Sequence, residues 1–187
     1  MKALIYLSLI IIFFSSCSSS RKTTSVAVRS TNAKEIKSIV IIKNKVPVYK
    51  VNTRNVSPDE VVAYAESLAG TRYTYGGTSV AKGFDCSGLV NFVFGRFNIA
   101  MPRISWQFTN AGYEVPVSES RRGDLILFTG HDANSGVVGH LGIITENKNG
   151  NIEFIHSAER GGVMISEMNG YFIPRFVKVN RVFPNGK

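Results

Sequence analysis

Beyond Gly123 the chain becomes a series of short apolar segments separated by turn residues, and this pattern limits the fold more than any other feature. The segments cover residues 124–128, 140–145, 151–157, 162–166 and 176–183. Their length and alternation suit strands of an antiparallel sheet. Before Gly123 the period is helical. Ser57-Pro58-Asp59-Glu60 supplies an N-cap serine, a proline at the first helical position and a glutamate three residues on, which is a capping box. Val61, Ala65, Leu68 and Ala69 follow as one apolar face, and Gly70 closes the helix. A glycine-rich stretch over residues 71–83 leads to a second helix opening around Cys86, with Leu89, Val90, Val93, Phe94 and Phe97 as its buried stripe. A third, short helix is predicted over residues 105–110. Helices first and a sheet afterwards define an α+β class, with N-terminal helices packed on a central antiparallel sheet. A chain of 187 residues, 44% of them hydrophobic, suits one globular domain, expected over residues 57–187.

The N-terminus predicts the compartment. Lys2, an apolar run over residues 3–14 and the small residues Ser15-Ser16 read as a secretory signal over residues 1–16. The run is too short to span a bilayer, which takes about 20 residues. Cys17 directly after the two serines resembles the lipid-acceptor cysteine of bacterial lipoproteins, so residues 17–56 are expected to be a lipidated cysteine and tether. Plain cleavage near Ser16 is the alternative. Residues 18–35 are polar enough for a flexible spacer, while residues 36–51 are more apolar and are expected to add an ordered arm. By the same resemblance, Ser18 in place of an acidic residue favours the outer membrane. The formal charge of +9 raises nucleic acid as a partner, but the basic residues are scattered rather than striped among aromatics, which argues against it.

The chain has two cysteines, and a lipid on Cys17 leaves Cys86 without a disulfide partner. Cys86 stands where a loop enters a helix, so unpaired N–H groups and the positive helix end are expected to favour its thiolate. The same donors suit an oxyanion. A merely buried cysteine would share the helix's apolar stripe, whereas Cys86 reads as preceding it. A nucleophile needs a base and the base an orienting partner. The three histidines are His131, His140 and His156. His131 lies in a polar loop and reads as structural. His140 opens one strand and His156 closes the next, sharing a face with Ile152 and Phe154. A two-residue Asn149-Gly150 turn would pair His156 with Ile143 and put the imidazoles on opposite faces, so a shared site predicts an odd-length loop. A zinc site from Cys86, His140 and His156 lacks the short paired spacings usual for structural zinc, so no metal is expected.

Tyr73-Thr74-Tyr75-Gly76-Gly77, Phe84-Asp85-Cys86-Ser87-Gly88-Leu89-Val90, Met101-Pro102-Arg103, Gly123 to Phe128, Gly139-His140-Leu141-Gly142-Ile143 and Phe154-Ile155-His156-Ser157 form six ordered blocks. Together they resemble the NlpC family of papain-like bacterial cell-wall cysteine peptidases. The likeness is closest to the single-domain lipoprotein branch that includes murein endopeptidases. It implies Cys86 as nucleophile, His140 as general base and acid, His156 as the polar residue orienting His140, and Tyr73 as an oxyanion donor beside the Cys86 N–H. Asp85, Ser87 and Arg103 match positions assigned to holding the stem peptide, although Arg103 also suits a brace. The implied reaction is amide hydrolysis in peptidoglycan peptides with no metal or organic cofactor. A wall amidase using the same pair and a non-catalytic envelope-binding lipoprotein are the alternatives, and an activating envelope partner is left open. A permuted acyltransferase, with its histidine before its cysteine, does not fit this order.

Overall fold

The computed structural model describes residues 49–184. The signal segment, Cys17 and the tether lie outside the described residues, as does the arm except for its end. There Tyr49 bridges Ala111, donating its N–H to the Asn110 carbonyl at 2.8 Å, and Val51 packs on the core. Among the described residues no helix is long and apolar enough to cross a membrane.

Helix α1 (Pro58–Glu66) begins on the expected capping box, with Ser57 accepting from the Asp59 N–H and Glu60 reaching back to the Ser57 N–H. Its buried face is Val61, Val62 and Ala65, with Leu68 just beyond. Ala69 is exposed, contrary to expectation, because the helix stops at Glu66 and the chain has unwound before reaching it. Helix α2 (Cys86–Gly95) is capped by Asp85 and buries Leu89, Val90, Val93 and Phe94 completely. Burial of side chains this size contributes roughly 1.5–3 kcal/mol each. Phe97, past the helix end, is half-buried with its edge against Tyr64, centroids 6.1 Å apart.

Between the helices a two-residue ladder joins β1 (Thr78–Ser79) to β2 (Gly83–Phe84). After α2, a 3-10 helix over Ser105–Asn110 occupies the place of the predicted third helix. Six antiparallel strands follow: β3 (Tyr113–Val115), β4 (Leu125–Thr129), β5 (Val138–Lys148), β6 (Asn151–Ala158), β7 (Gly162–Glu167) and β8 (Phe176–Arg181). They lie in the order β3-β8-β4-β5-β6-β7. This is the predicted α+β architecture, with the ladder and β3 as additions. One sheet face carries Leu125, Leu127, Leu141, Ile143 and Ile155 against α1 and α2. The other carries Ile126, Phe128, Ile144, Ile152, Phe154 and Val179 under Phe172 and Phe176. With both faces covered, every residue of β4 is buried. At its start, Asp124 (1% exposed) accepts from Arg181 Nε at 3.1 Å and Nη2 at 2.9 Å, tying β4 to β8. Removing either partner would strand a buried charge.

The β5–β6 hairpin corrects the loop expectation. Lys148 pairs with Asn151, so the turn is the two-residue Asn149-Gly150, with φ of 54° and 94°. A type I′ turn requires these left-handed conformations. The imidazoles nevertheless share a face. The register shifts between Ile144 and Glu146, leaving Thr145 as an extra residue, after which Ile144 pairs with Phe154 and Ile143 with Ile155. A one-residue bulge flips every side chain beyond it. Arg122 fastens this bulge to α1, donating from Nη1 to the Thr145 carbonyl and to Glu66, both at 2.9 Å, while Nε meets Asp59 at 3.2 Å.

Candidate active site

The loop into α2 is held by a compact polar brace. The Asp85 carboxylate accepts from the Gly88 N–H and, at 3.0 Å, from the Ser87 hydroxyl. Arg103 donates from Nη1 to Asp85 and Ser87 at 3.2 and 3.0 Å, and from Nη2 to Asp85 and the Gly76 carbonyl at 3.0 and 2.8 Å. These contacts join the glycine-rich loop to the helix start. Gly88 permits the approach, since a Cβ there would lie 2.0 Å from the Gly77 carbonyl oxygen. Asp85, Ser87 and Arg103 thus act on one another, and bracing is the role these contacts display. Arg103 still exposes 40% of its side chain on the site's surface.

Cys86 is a free cysteine, 9% exposed, and belongs to the α2-side core. It does not precede the apolar stripe, as expected, but starts it: Leu89, Val90 and Val93 follow at three, four and seven residues, the spacing of one helical face. The expected thiolate is corrected as well. Burial first, and the Asp85 charge second, push the thiol up to about 11, outweighing the Leu141, Ser87 and Cys86 N–H groups that favour the anion. At pH 7 about one thiol in 10⁴ is then ionised. Tyr73, bridged to Phe84, lies within electrostatic reach of the sulfur. Burial, followed by the charges of Cys86, Glu159 and Asp85, raises its phenol.

The histidines form their own array. His140 stands opposite Phe128 on β4, and His156 opposite Met164 on β7. Their rings meet edge to face, with His140 Nε2 2.8 Å from His156 Nδ1. His156 Nε2 lies 2.9 Å from Ser166 Oγ. Gly142 between them leaves room, because a Cβ there would lie 3.2 Å from His156 Cβ and 2.7 Å from Phe154 Cδ2. Phe172 closes over the pair, 5.5 Å from the His156 ring and 6.5 Å from that of His140. Burial lowers His140 to about 4, and burial followed by the charge of His140 lowers His156 to about 3. Both are neutral at pH 7.

The structure brings Cys86 to the strand bearing His140, but no hydrogen bond joins the two side chains. The thiol lies 3.9 Å from the carbonyl oxygen of Gly139 and near the N–H of Leu141. Strand alternation explains this, since Leu141 and Ile143 face α2 while His140 turns toward Phe128. The register shifts at Phe128/Thr129, where Gly139 is the extra residue immediately before His140. His131 has no side-chain contact with these groups and lies in the exposed loop, as expected. Ser166, Phe172 and the Leu141 N–H are the neighbours that sequence reasoning missed. Only Ser166 left a trace, as a polar residue closing an otherwise apolar predicted strand.

A cysteine opening a helix packed on an antiparallel sheet, with a histidine on the strand beside it, is the arrangement of the papain-like fold. Comparison with known proteins narrows the class: residues 70–181 match the NlpC/P60 family, and the chain belongs to that family. A "Probable endopeptidase" of Haemophilus influenzae is 41% identical over 144 residues, covering 72% of this chain and 84% of that protein. The murein DD-endopeptidase MepS/murein LD-carboxypeptidase of Escherichia coli K12 is 39% identical over 116 residues, covering 60% of this chain but 56% of its own length. Among solved structures, an NlpC/P60 family protein from Bacillus cereus superposes with a TM-score of 0.63 at 27% identity, covering 71% of this chain and 42% of that one. The peptidoglycan hydrolase RipB of Mycobacterium tuberculosis gives 0.54 at 30% identity, covering 67% and 64%.

Proposed function

We propose that the protein is a peptidoglycan endopeptidase that hydrolyses amide bonds in stem or cross-link peptides, with Cys86 as nucleophile and His140 as base. The observation that carries this reading is the free Cys86 at the start of α2, against the strand that presents a His140–His156 pair. The named activities of the family relatives supply the substrate class. A neutral thiol near 11 and a neutral imidazole near 4 do not form a resting ion pair, so proton transfer accompanies attack. The sulfur adds to the scissile carbonyl as its proton passes to His140. The carbonyl oxygen takes the electron pair, facing the Cys86 N–H and the Tyr73 hydroxyl. Collapse breaks the C–N bond, and His140 returns the proton to the departing amine. Water, deprotonated by His140, then cleaves the thioester and restores the thiol. This sequence requires His140 Nδ1 to come within reach of the sulfur while Nε2 keeps its bond to His156, and the adjoining Gly139 bulge is the kind of feature that re-aims a side chain.

The reading extends to the compartment. Lys2, the apolar run and Ser15-Ser16-Cys17 support export and a lipid on Cys17, and Ser18 supports the outer membrane. Metabolic labelling with a palmitate analogue is expected to mark the protein and to fail in Cys17→Ala. For the chemistry, the protein and its Cys86→Ala variant are incubated with purified peptidoglycan and defined muropeptides, and products are read by mass spectrometry. New peptide fragments from the unaltered protein alone are expected. Release of intact stem peptide would make it an amidase, and binding without products a non-catalytic wall protein.

A further inference from the structure

We infer that Ser166 is a positioning residue, the terminal acceptor of a hydrogen-bonded chain that lets His140 carry a proton. The inference rests on the peptidase reading for its purpose but on geometry for its content. In the register of β6 and β7, Ser166 stands opposite Phe154, hence diagonal to His156 on the same face. Its Oγ is 2.9 Å from His156 Nε2, and His156 Nδ1 is 2.8 Å from His140 Nε2. Three polar groups are therefore linked in series from β5 across β6 to β7.

The chain has a direction once His140 acts. A proton from Cys86 has to enter at His140 Nδ1, because Nε2 is committed to His156. The resulting imidazolium carries hydrogen on both nitrogens, so Nε2–H donates and His156 Nδ1 accepts. Neutral His156 then carries its hydrogen on Nε2, and that hydrogen needs an acceptor. Ser166 Oγ is the atom in place, and its side chain makes no other hydrogen bond among the described residues. Without it a buried N–H would go unpaired in the tautomer whose His140 Nδ1 is free to accept a proton and in the imidazolium that follows, the states through which proton transfer passes. The opposite polarity, with Ser166 donating to His156 and His156 to His140, leaves hydrogen on His140 Nδ1 and blocks the base. Serine serves both polarities, and alanine neither.

Among the described residues no other polar side chain hydrogen-bonds to either imidazole. The pair is packed by Phe128 from β4, Phe154 from β6 and Phe172 from the segment before β8. Among the described residues, His140 is the one titratable group acting on His156, and none beyond it acts on His140.

The test compares the full-length protein with its Ser166→Ala, Ser166→Thr and Ser166→Asp variants. Alanine is expected to lower kcat on a muropeptide by about three- to tenfold, the loss of one hydrogen bond, with KM changed less than about twofold. Threonine is expected to restore kcat. Aspartate, an anionic acceptor, is expected to move the acid limb of the pH profile, and the ¹⁵N-detected titration of both imidazoles, upward by about one pH unit. An alanine variant with unchanged kcat, or an aspartate variant whose imidazole titration does not move, would overturn the proposal. The two readings fail separately. The imidazole titration judges Ser166 even if no muropeptide is cut, and cleavage with an unmoved titration would leave the peptidase standing without the chain.

Discussion

Replacing Asp85 by asparagine is expected to make Cys86 more acidic and the domain less stable at the same time. Asparagine caps helices as well as aspartate does, so the bond to the Gly88 N–H survives and α2 keeps its start. What disappears is a charge. Asp85 is the second cause, after burial, of a thiol held near 11. A carboxylate one residue from the sulfur, partly neutralised by Arg103, is worth about 1–2 kcal/mol at an effective dielectric near 20 to 40, so the thiol should fall by about one pH unit. Burial is untouched, and the value should stay above that of a free cysteine. Stability changes through Arg103, which loses the ionic part of its bonds to Asp85 but keeps those to Gly76 and Ser87. With 40% of the arginine side chain and 14% of the aspartate exposed, solvent screening holds the cost to about 1 kcal/mol. A domain of this size should then melt about 3–5 °C lower. Iodoacetamide alkylation of Cys86 against pH, read by mass spectrometry, reports the thiol, and near pH 8 the variant should react about tenfold faster. An unchanged or slower alkylation profile would show that the carboxylate does not hold the thiol neutral.

Three further outcomes follow from the same contacts. Gly142→Ala would drive a Cβ to 2.7 Å from Phe154 Cδ2 and 2.8 Å from the Ile155 carbonyl oxygen, so urea melts should show a loss of about 2–3 kcal/mol and muropeptide cleavage should drop. Arg122→Met removes the donor to the Thr145 carbonyl together with the partly exposed Glu66 pair. Unfolding is expected to be about 1–2 kcal/mol easier, and hydrogen exchange faster around residues 143–147, whereas unchanged exchange would detach Arg122 from the bulge. For pH, both imidazoles titrate lower folded than unfolded, near 4 and 3 against an ordinary 6.5, so the unfolded chain binds more protons below neutrality. Their contribution is complete above pH 6.5 and fades as pH falls toward 4, by at most about 1.4 kcal/mol per pH unit for each ring. Urea midpoints between pH 7 and 4.5 measure the slope, which should flatten in a His140→Asn/His156→Asn double variant.

Local features were legible and tertiary ones were not. The α1 capping box lies in four consecutive residues, and the five long strands announce themselves by composition. The Thr78–Ser79 and Gly83–Phe84 ladder is too short for a period, and so are the three residues of β3. The place of Cys86 on the stripe was open to helical counting alone, since residues 86, 89, 90 and 93 share a face. Its raised pKa was not, because burial under the Gly139–Leu141 strand depends on packing between segments far apart in sequence. The turn shows the limit most clearly. Asn149-Gly150 is a two-residue turn, so the odd-length loop expected for a shared site is wrong, yet the imidazoles do share a face because Thr145 bulges. The donor that holds the bulge open, Arg122, lies 23 residues away.

The Thr145 bulge also behaves as a parity bit in the pairing. Should β5 zip up without it while Thr145 stays in the chain, Ile143 would meet His156, and every side chain from Ile144 back to His140 would exchange faces, taking the imidazole away from His156 and Ser166. Deleting the residue itself is harmless to this count, because Ile144 then follows directly on the Glu146–Glu153 pair and still meets Phe154. Extra residues at Asn149-Gly150 are harmless too, since a longer loop leaves Lys148 opposite Asn151. Related chains that lack the bulge are therefore expected either to lack its residue or to lodge it in a three-residue turn.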